Sequence, residues 1–86
     1  MKNFEKILKA LANHRRLQAL KFIKTNKQAS VTNISEHLHL SFKSTSKHLA
    51  VLLGANIVEK EQKDLTMLYS IAVPLSKMAK NVIDLI

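Results

Sequence analysis

Apolar residues recur every three or four positions over most of this chain, which is the period of amphipathic helices. Capping residues between the apolar stretches divide the sequence into five helical segments. The predicted helices cover residues 3–12, the residues after a cap at Asn13, residues 33–38, the stretch from Ser41 to Gly54, and residues 74–86. The pattern therefore predicts a mainly α-helical protein.

The helical spacing of apolar residues is interrupted between the fourth and fifth helices by two strand-like runs. Residues 57–62 and 65–71 are predicted to be two short strands, joined by a tight turn at Lys63 and Asp64. Because a two-stranded ribbon is only marginally stable alone, we expect it to pack against the helices. The predicted fold class is mainly α with a two-stranded β-hairpin, ordered as four helices, two strands and a fifth helix, in one domain over residues 1–86.

Residues 32–54 form the most informative stretch, a short helix and a longer helix separated by a tight turn. Thr32 is the expected cap of the short helix, and Ser41 of the longer one. His39 falls in the turn, where histidine tolerates a left-handed backbone better than branched residues do. Two helices joined so closely usually form a DNA-reading helix-turn-helix unit.

The fourth helix has two distinct faces. Its expected buried stripe, with His48 at the edge, consists of Thr45, Leu49, Leu52 and Leu53. Lys43, Ser44 and Lys47 then face outward. An exposed lysine pair is often only a solvated surface, yet lysine and serine near the start of such a helix suit contacts with DNA.

The charge of the chain favours the same kind of partner. Fourteen Lys and Arg against six Asp and Glu give a formal net charge of +8 and a pI near 10.1, which indicates a polyanion such as nucleic acid. Arg15 and Arg16 lie in the first turn of the second helix, where positive charge opposes the helix dipole. We therefore expect them to bind an external anion or a specific acidic partner, although plain solvent exposure is the alternative.

The terminal helices, residues 3–12 and 74–86, present apolar faces that need a cover. The face of the last helix is wider than one small core requires, which favours a homodimer over simple completion of the monomer core. The predicted dimer interface consists of Phe4, Ile7, Leu8, Leu11, Met78, Val82, Ile83 and Ile86.

Other classes of function find no support in the sequence. There is no cysteine, no glycine-rich phosphate loop and no paired acids, so we expect neither an enzyme nor a cofactor. The four histidines do not have the spacing of a metal site. The longest apolar stretch, residues 49–55, is too short to cross a bilayer, and no secretion signal is visible, so a cytoplasmic protein without membrane contact is expected.

Three segments carry a resemblance to a known family. They are LKALANHRRLQAL at residues 8–20, HLHLSFKSTSKHLAVLLGANIVEKE at residues 37–61 and, more weakly, MLYSI at residues 67–71. Over about residues 7–72 the chain resembles the ArsR/SmtB group of winged helix-turn-helix repressors. The resemblance implies that the fourth helix is the recognition helix, with Ser41, Ser44, Ser46, Lys47, His48 and Leu49 on the family pattern.

The chain also departs from that family. Phe42 and Lys43 replace the usual Gln and Ser, and Thr45 replaces a buried Val. The family's metal-binding cysteines would lie near Ser30 and Thr32, and the last helix offers only Asp84 to the family's other metal site, so no metal is expected. The arginine-rich hairpin of the family is replaced by an acidic one whose basic groups are only Lys60 and Lys63.

Together these features predict a dimeric, sequence-specific regulator that binds double-stranded DNA, most simply a transcriptional repressor with an unidentified effector. The alternative is a winged-helix module for protein contact, such as an anti-repressor or assembly subunit, for which the acidic wing is the clue. The predicted DNA-binding residues are Arg15, Arg16, Lys43, Ser44, Ser46, Lys47, His48, Lys60 and Lys63.

Overall fold

The computed structural model describes residues 2–86, which form five helices and three strands. In chain order these are α1 (Lys2–Leu11), α2 (His14–Asn26), β1 (Gln28–Ser30), α3 (Val31–Leu38), α4 (Phe42–Gly54), β2 (Val58–Lys63), β3 (Thr66–Ile71) and α5 (Lys77–Leu85). The predicted fold class and order of elements are confirmed. The strand β1 is an addition, because three residues are too few to show an alternating pattern.

The three strands make one antiparallel sheet in the order β1-β3-β2. β3 lies in the centre, where Tyr69 pairs with Ala29 of β1 and with Lys60 of β2. The predicted hairpin is thus anchored to the helical body through β1, which satisfies the need of a two-stranded ribbon for a third element.

The hairpin turn lies one residue later than predicted. Asp64 and Leu65 form it, because Lys63 pairs with Thr66 in the last rung of the ladder. Asp64 has a φ of 57°, a left-handed conformation that Asp tolerates better than most residues. Hydrophobicity alone assigns Leu65 to the second strand, but its side chain is 98% exposed at the tip.

The helix starts follow side-chain caps. Asn13 and Ser41 cap α2 and α4 as predicted, each accepting a hydrogen bond from a backbone N–H three residues later. The predicted cap of α3, Thr32, is wrong. Ser30 caps that helix instead, since its Oγ accepts from the backbone N–H of Asn33 at 3.1 Å.

The turn between α3 and α4 is as expected. His39 has φ 56° and ψ 42°, a left-handed conformation, and its N–H donates to the carbonyl of Glu36. The next N–H, of Leu40, donates to the carbonyl of Ser35 at 3.0 Å. These bonds satisfy the last carbonyls of α3 and fix the angle at which α4 leaves it.

The core lies where α2, α3 and α4 meet the sheet. Its fully buried apolar side chains include Leu20, Ile23, Ile34, Leu49, Leu52 and Ile57. Each such side chain stabilises the fold by about 1.5 to 3 kcal/mol relative to exposure. The predicted stripe of α4 is confirmed for Thr45, Leu49 and Leu52, while Leu53 is only partly buried.

The last helix begins at Lys77 and not at Pro74, because Ser76 is its cap and accepts from the backbone N–H of Ala79 at 3.2 Å. Its buried residues are Ala79 and Ile83. Lys24 of α2 donates from Nζ to the carbonyl of Ile83 at 2.9 Å, which holds the end of α5 against the body of the fold.

Candidate nucleic-acid interface

The helix α4 is held by one face and open on the other. Thr45, Leu49 and Leu52 fix it to the core, each at most 1% exposed. Lys43 and Lys47 lie about 200° around the helix from Thr45, on the opposite face, and both are exposed. The two ammonium groups, one helical turn apart, therefore point away from the protein.

No internal partner neutralises these two lysines in the part of the chain that the structure describes. The ion pairs within residues 2–86 are Lys9 with Glu5 and Lys80 with Asp84, both far from α4 in sequence. The α4 segment itself, FKSTSKHLAVLLG, carries no acid. This face can therefore attract an external anion without competition from its own helix.

Two serines flank the lysines. Ser44 is exposed and Ser46 is partly buried, on opposite sides of the face that carries Lys43 and Lys47. Hydroxyl groups both donate and accept hydrogen bonds, so they suit phosphate oxygens as well as base edges. Four of the five predicted residues of α4 are thus brought together on one surface, with His48 at its edge.

Arg16 has an internal role that changes its interpretation. Its guanidinium donates from Nε to the carbonyl of Ala10 at 2.6 Å and from Nη2 to the carbonyl of Lys9 at 3.0 Å. Its Nη1 lies 3.3 Å from Nδ1 of His48. Arg16 therefore ties α2 to the end of α1 and to α4, and three of the five N–H donors of its guanidinium are bonded within the protein.

The guanidinium of Arg15 makes one hydrogen bond within the protein. Its Nη1 donates to the carbonyl of Leu38 at 3.2 Å, at the end of α3, and the residue remains exposed. The two arginines oppose the dipole of their own helix but complement the C-terminal ends of α1 and α3. The sequence could not show this, because the partner carbonyls belong to other helices.

His48 lies at the edge of the buried stripe, as predicted, and bonds across to Arg16. Burial lowers its pKa below the ordinary 6.5, and the positive charges of Arg16 and Arg15 lower it further. Because a guanidinium can only donate, Nδ1 accepts and the proton of the neutral ring is on Nε2. His48 thus supplies a neutral donor beside the lysine face.

The wing carries mixed charge. Every residue of β2 after Val58 is exposed, including Glu59, Lys60, Glu61 and Lys63. The ladder places Glu59, Glu61 and Lys63 on one face, since Lys60 alternates with them and pairs with the buried Tyr69. Lys63 therefore shares its face with two carboxylates while Lys60 lies on the other face, so the two lysines do not form a basic patch.

The predicted dimer surface divides into three groups. Phe4 and Leu8 of α1 are about half exposed, at 52% and 47%. Leu11 and Ile83 are buried in the core of the single chain, so we correct their assignment to the interface. The partly buried members are Ile7, Met78, Val82 and Ile86. Leu85, absent from the predicted set, is 86% exposed.

The histidines and acids of the described chain are dispersed. Among residues 2–86, no three His, Cys, Asp or Glu side chains come together as a metal site would require. His37 is instead stacked on Phe22, with ring centroids 4.4 Å apart. None of the helices within the described range has the length and apolar character needed to span a bilayer.

Known proteins share both the sequence pattern and the fold. The family model described as "Bacterial regulatory protein, arsR family" matches residues 13–60. The transcriptional activator HlyU of Vibrio cholerae is 38% identical over 66 residues, which cover 77% of this chain and 60% of that protein. The aligned part of the chain thus spans about three fifths of the length of this relative.

Solved structures resemble the whole chain. HlyU from Vibrio cholerae superposes with a TM-score of 0.82 at 33% identity, over 98% of this chain and 87% of the other. The transcriptional repressor PagR of Bacillus anthracis gives 0.81 at 25% identity, over 98% and 92%. The homodimeric winged helix-turn-helix DNA-binding domain of Mb0332 from Mycobacterium bovis gives 0.83 at 25% identity, over 98% and 74%.

The fold and the exposed face of α4 define a winged helix-turn-helix protein of the kind that binds DNA. The chain belongs to the ArsR family of bacterial regulatory proteins, as the resemblance of residues 8–20 and 37–61 implies. Its relatives HlyU and PagR are named a transcriptional activator and a transcriptional repressor.

Proposed function

We propose that the protein is a homodimeric, sequence-specific DNA-binding repressor whose helix α4 reads the major groove. The observation that carries the proposal is the face formed by Lys43 and Lys47, which is exposed, free of acids and without an internal ion-pair partner among residues 2–86. A recognition helix presents its N-terminal residues to base edges, and these two lysines lie in the first half of α4.

Each residue has a role that follows from its chemistry. Lys43 and Lys47 contact guanine edges or phosphates, and Ser44 and Ser46 supply smaller hydrogen-bonding groups. The remaining predicted contacts are peripheral and bind phosphate, namely Arg15 through its free donors, His48 through Nε2–H, and the wing residues Lys60 and Lys63. Arg16 stays a predicted phosphate contact, through the N–H donors of its guanidinium that are not bonded within the protein.

The dimer forms through α1 and α5, with residues 1–86 as one DNA-binding domain. The exposure of Phe4 and Leu8 supports this, because a second copy of the chain that covers these apolar side chains removes them from water and so stabilises the dimer. The homodimeric Mb0332 domain, similar over 98% of this chain, gives further support. A two-fold axis would place the two α4 helices in successive major grooves, about one helical turn apart.

Repression requires only that the dimer occupy promoter DNA in the cytoplasm. It needs no additional surface for binding another protein. The relatives carry both regulatory descriptions, since HlyU is named an activator and PagR a repressor. Transcription from a promoter that contains the selected binding site decides between them. A fall in transcript on addition of the protein supports repression, and a rise contradicts it.

The first test of the proposal is salt-dependent binding to duplex DNA. Lys43→Ala with Lys47→Ala should weaken binding by about 1 to 3 kcal/mol for each lysine that contacts a base, and by less for a phosphate contact. Lys21→Ala with Lys77→Ala is the matched control, because it removes the same charge from exposed positions of α2 and α5. Equal losses in both double variants would contradict the assignment of α4.

A second candidate is a winged-helix module that binds a protein. The acidic wing favours it, since Glu59, Glu61 and Asp64 outnumber the two lysines of the same hairpin. Lack of any affinity for duplex DNA at low salt, together with stable binding to a protein partner, would favour this candidate over the regulator of transcription.

A further inference from the structure

The recognition helix begins with an aromatic residue that the protein itself does not bury. Phe42 is the first residue of α4 and is 60% exposed. The cap at Ser41, whose Oγ accepts from the backbone N–H of Ser44 at 3.0 Å, fixes the first turn of the helix and with it the backbone of Phe42. The backbone that carries the exposed phenyl ring is therefore held in place beside Lys43.

The position of Phe42 places it at the edge of the groove-reading face. It lies about 40° around the helix from Ser46, between the buried stripe of Thr45 and the lysine face. It also lines a cleft of about 480 Å³ between the start of α3, the start of α4 and the wing, together with Val31 and Leu65. The ring thus faces the space between recognition helix and wing.

A phenyl ring offers no hydrogen bond, so it can distinguish base pairs only through apolar contact. In the major groove the apolar group of a base pair is the C5-methyl of thymine, and phenylalanine is one of the residues that contact it. The flanking Lys43 and Lys47 supply charge-based contacts, and Ser46 supplies a hydroxyl. Phe42 adds the one kind of readout that these neighbours cannot provide.

We propose that Phe42 reads the C5-methyl group of a thymine in each half-site and so determines specificity at that position. The proposal rests on the proposed function, because it requires α4 to lie in the major groove. It adds that the preference for thymine depends on the methyl group of the base, whereas the overall affinity for DNA depends on Lys43 and Lys47.

The experiment begins with selection of binding sites from random duplex DNA by the unaltered protein and by Phe42→Ser. Sites selected by the unaltered protein should contain one thymine per half-site that the variant no longer selects. In a matched pair of duplexes, deoxyuridine then replaces that thymine, which removes only the methyl group. Affinity of the unaltered protein should fall about fourfold per half-site, as expected for loss of one buried methyl contact.

Phe42→Ser should bind the thymine and deoxyuridine duplexes equally, and Phe42→Leu should keep part of the difference because it retains an apolar side chain. Leu65→Ser is the control, since it removes another exposed apolar side chain of the same cleft and should retain the full difference. Circular dichroism confirms that the variants fold, as expected for a site that is 60% exposed.

Two results would overturn the proposal. One is an unaltered protein that binds both duplexes equally at every selected thymine, and the other is a Phe42→Ser variant that keeps the difference. In both cases salt-dependent binding would still stand, so the proposed function would survive. Absence of any selected site or of salt-dependent binding would overturn the proposed function, and the role of Phe42 with it.

Discussion

The recognition helix and the wing of this protein face the same expected partner with opposite electrostatics. From Phe42 to Gly54 the helix has two lysines and no acid, whereas the hairpin Val58–Ile71 has two lysines and three acids. The charged side chains of both regions are exposed, so the difference is one of composition and not of accessibility. Under the proposed function, we expect affinity for DNA to come mainly from the helix, with only a weak attraction between the wing and phosphate.

The largest expected effect concerns how the helix is held. Arg16→Ala removes hydrogen bonds to the carbonyls of Lys9 and Ala10 and to His48, so α4 loses its tie to α1 and α2. A buried charge-assisted bond contributes about 1.5 to 3 kcal/mol, but these three are only partly buried or exposed, so we expect the free energy of unfolding to fall by about 2 to 4 kcal/mol in total. Urea denaturation measures it.

Arg16→Lys is the matched variant, because it keeps the charge but cannot make three bonds with fixed directions. It should recover less than half of the lost stability. Hydrogen exchange should show weaker protection in α1 and α4 while the wing is unchanged, since the hydrogen bonds of Arg16 go to α1 and α4. Full recovery of stability in Arg16→Lys would show that the charge, and not the geometry of the guanidinium, is what stabilises the helix.

The second prediction tests the weak wing directly. Glu59→Gln with Glu61→Gln removes two carboxylates beside Lys60 and Lys63 and should raise affinity for DNA about tenfold at low salt, with a smaller gain at high salt. Both glutamates are exposed, so folding should not change. Fluorescence anisotropy at several salt concentrations measures the gain.

Glu5→Gln with Glu36→Gln is the control, because it changes the net charge equally at exposed positions of α1 and α3. An equal gain in the control would mean that affinity follows net charge alone. A lack of gain in the wing variant would mean that the wing does not approach the DNA, which would sharpen the contrast between the two regions.

The same contrast appears in what the sequence can predict. The hydrophobic pattern predicts helix α4 with its cap at Ser41 and its buried residues Thr45, Leu49 and Leu52, because a period of 3.6 over 13 residues is a strong signal. It misplaces the turn of the wing by one residue, because apolar Leu65 extends the strand pattern although the structure exposes it. Local pattern does not report whether an apolar side chain has anything to pack against.

The roles of the arginines could not be predicted at all. The pattern shows that Arg16 is unfavourable for its own helix, but its partners lie six and seven residues away and across to His48 on another helix. Similarly, Ser30 can be recognised as the cap of α3 only once β1 is known to end there. Contacts between elements depend on the tertiary arrangement, which hydrophobic periodicity does not contain.

The third prediction concerns the buried side of the recognition helix. The Oγ1 of Thr45 is buried and has no hydrogen-bond partner within the described chain, and the resemblance to the ArsR family places a valine at this position. Thr45→Val replaces the hydroxyl by a methyl group of similar size and should raise the free energy of unfolding by about 1 kcal/mol. Thermal or urea denaturation measures it.

Thr45→Ser is the companion variant, since it keeps the hydroxyl and removes a methyl group from the core. It should lower stability by about 1 kcal/mol. Binding of DNA by Thr45→Val should be unchanged, because the face of Lys43 and Lys47 is untouched. A loss of stability in Thr45→Val would indicate that the hydroxyl has a partner, such as an enclosed water molecule.

The smallest expected effect is a pH dependence that belongs to the helix and not to the wing. Burial, with the charges of Arg16 and Arg15, lowers the pKa of His48 below its ordinary 6.5, so the unfolded chain binds this proton more readily than the folded chain does. The effect of His48 on stability is absent well above pH 6.5. As the pH falls through that value, it lowers the free energy of unfolding. Protonation also removes the lone pair on Nδ1 that accepts from Arg16.

The measurement is urea denaturation at pH 7.5 and 5.5 of the unaltered protein and of His48→Gln, whose amide can still accept from Arg16 but does not titrate. The variant should show the smaller pH dependence. The pKa of Asp84, lowered from 3.8 mainly by its hydrogen bond from Lys80, keeps that carboxylate ionised at both pH values in both proteins. Equal pH dependence in the two proteins would mean that His48 is protonated in the fold without cost, and that its bond to Arg16 does not hold α4 in place.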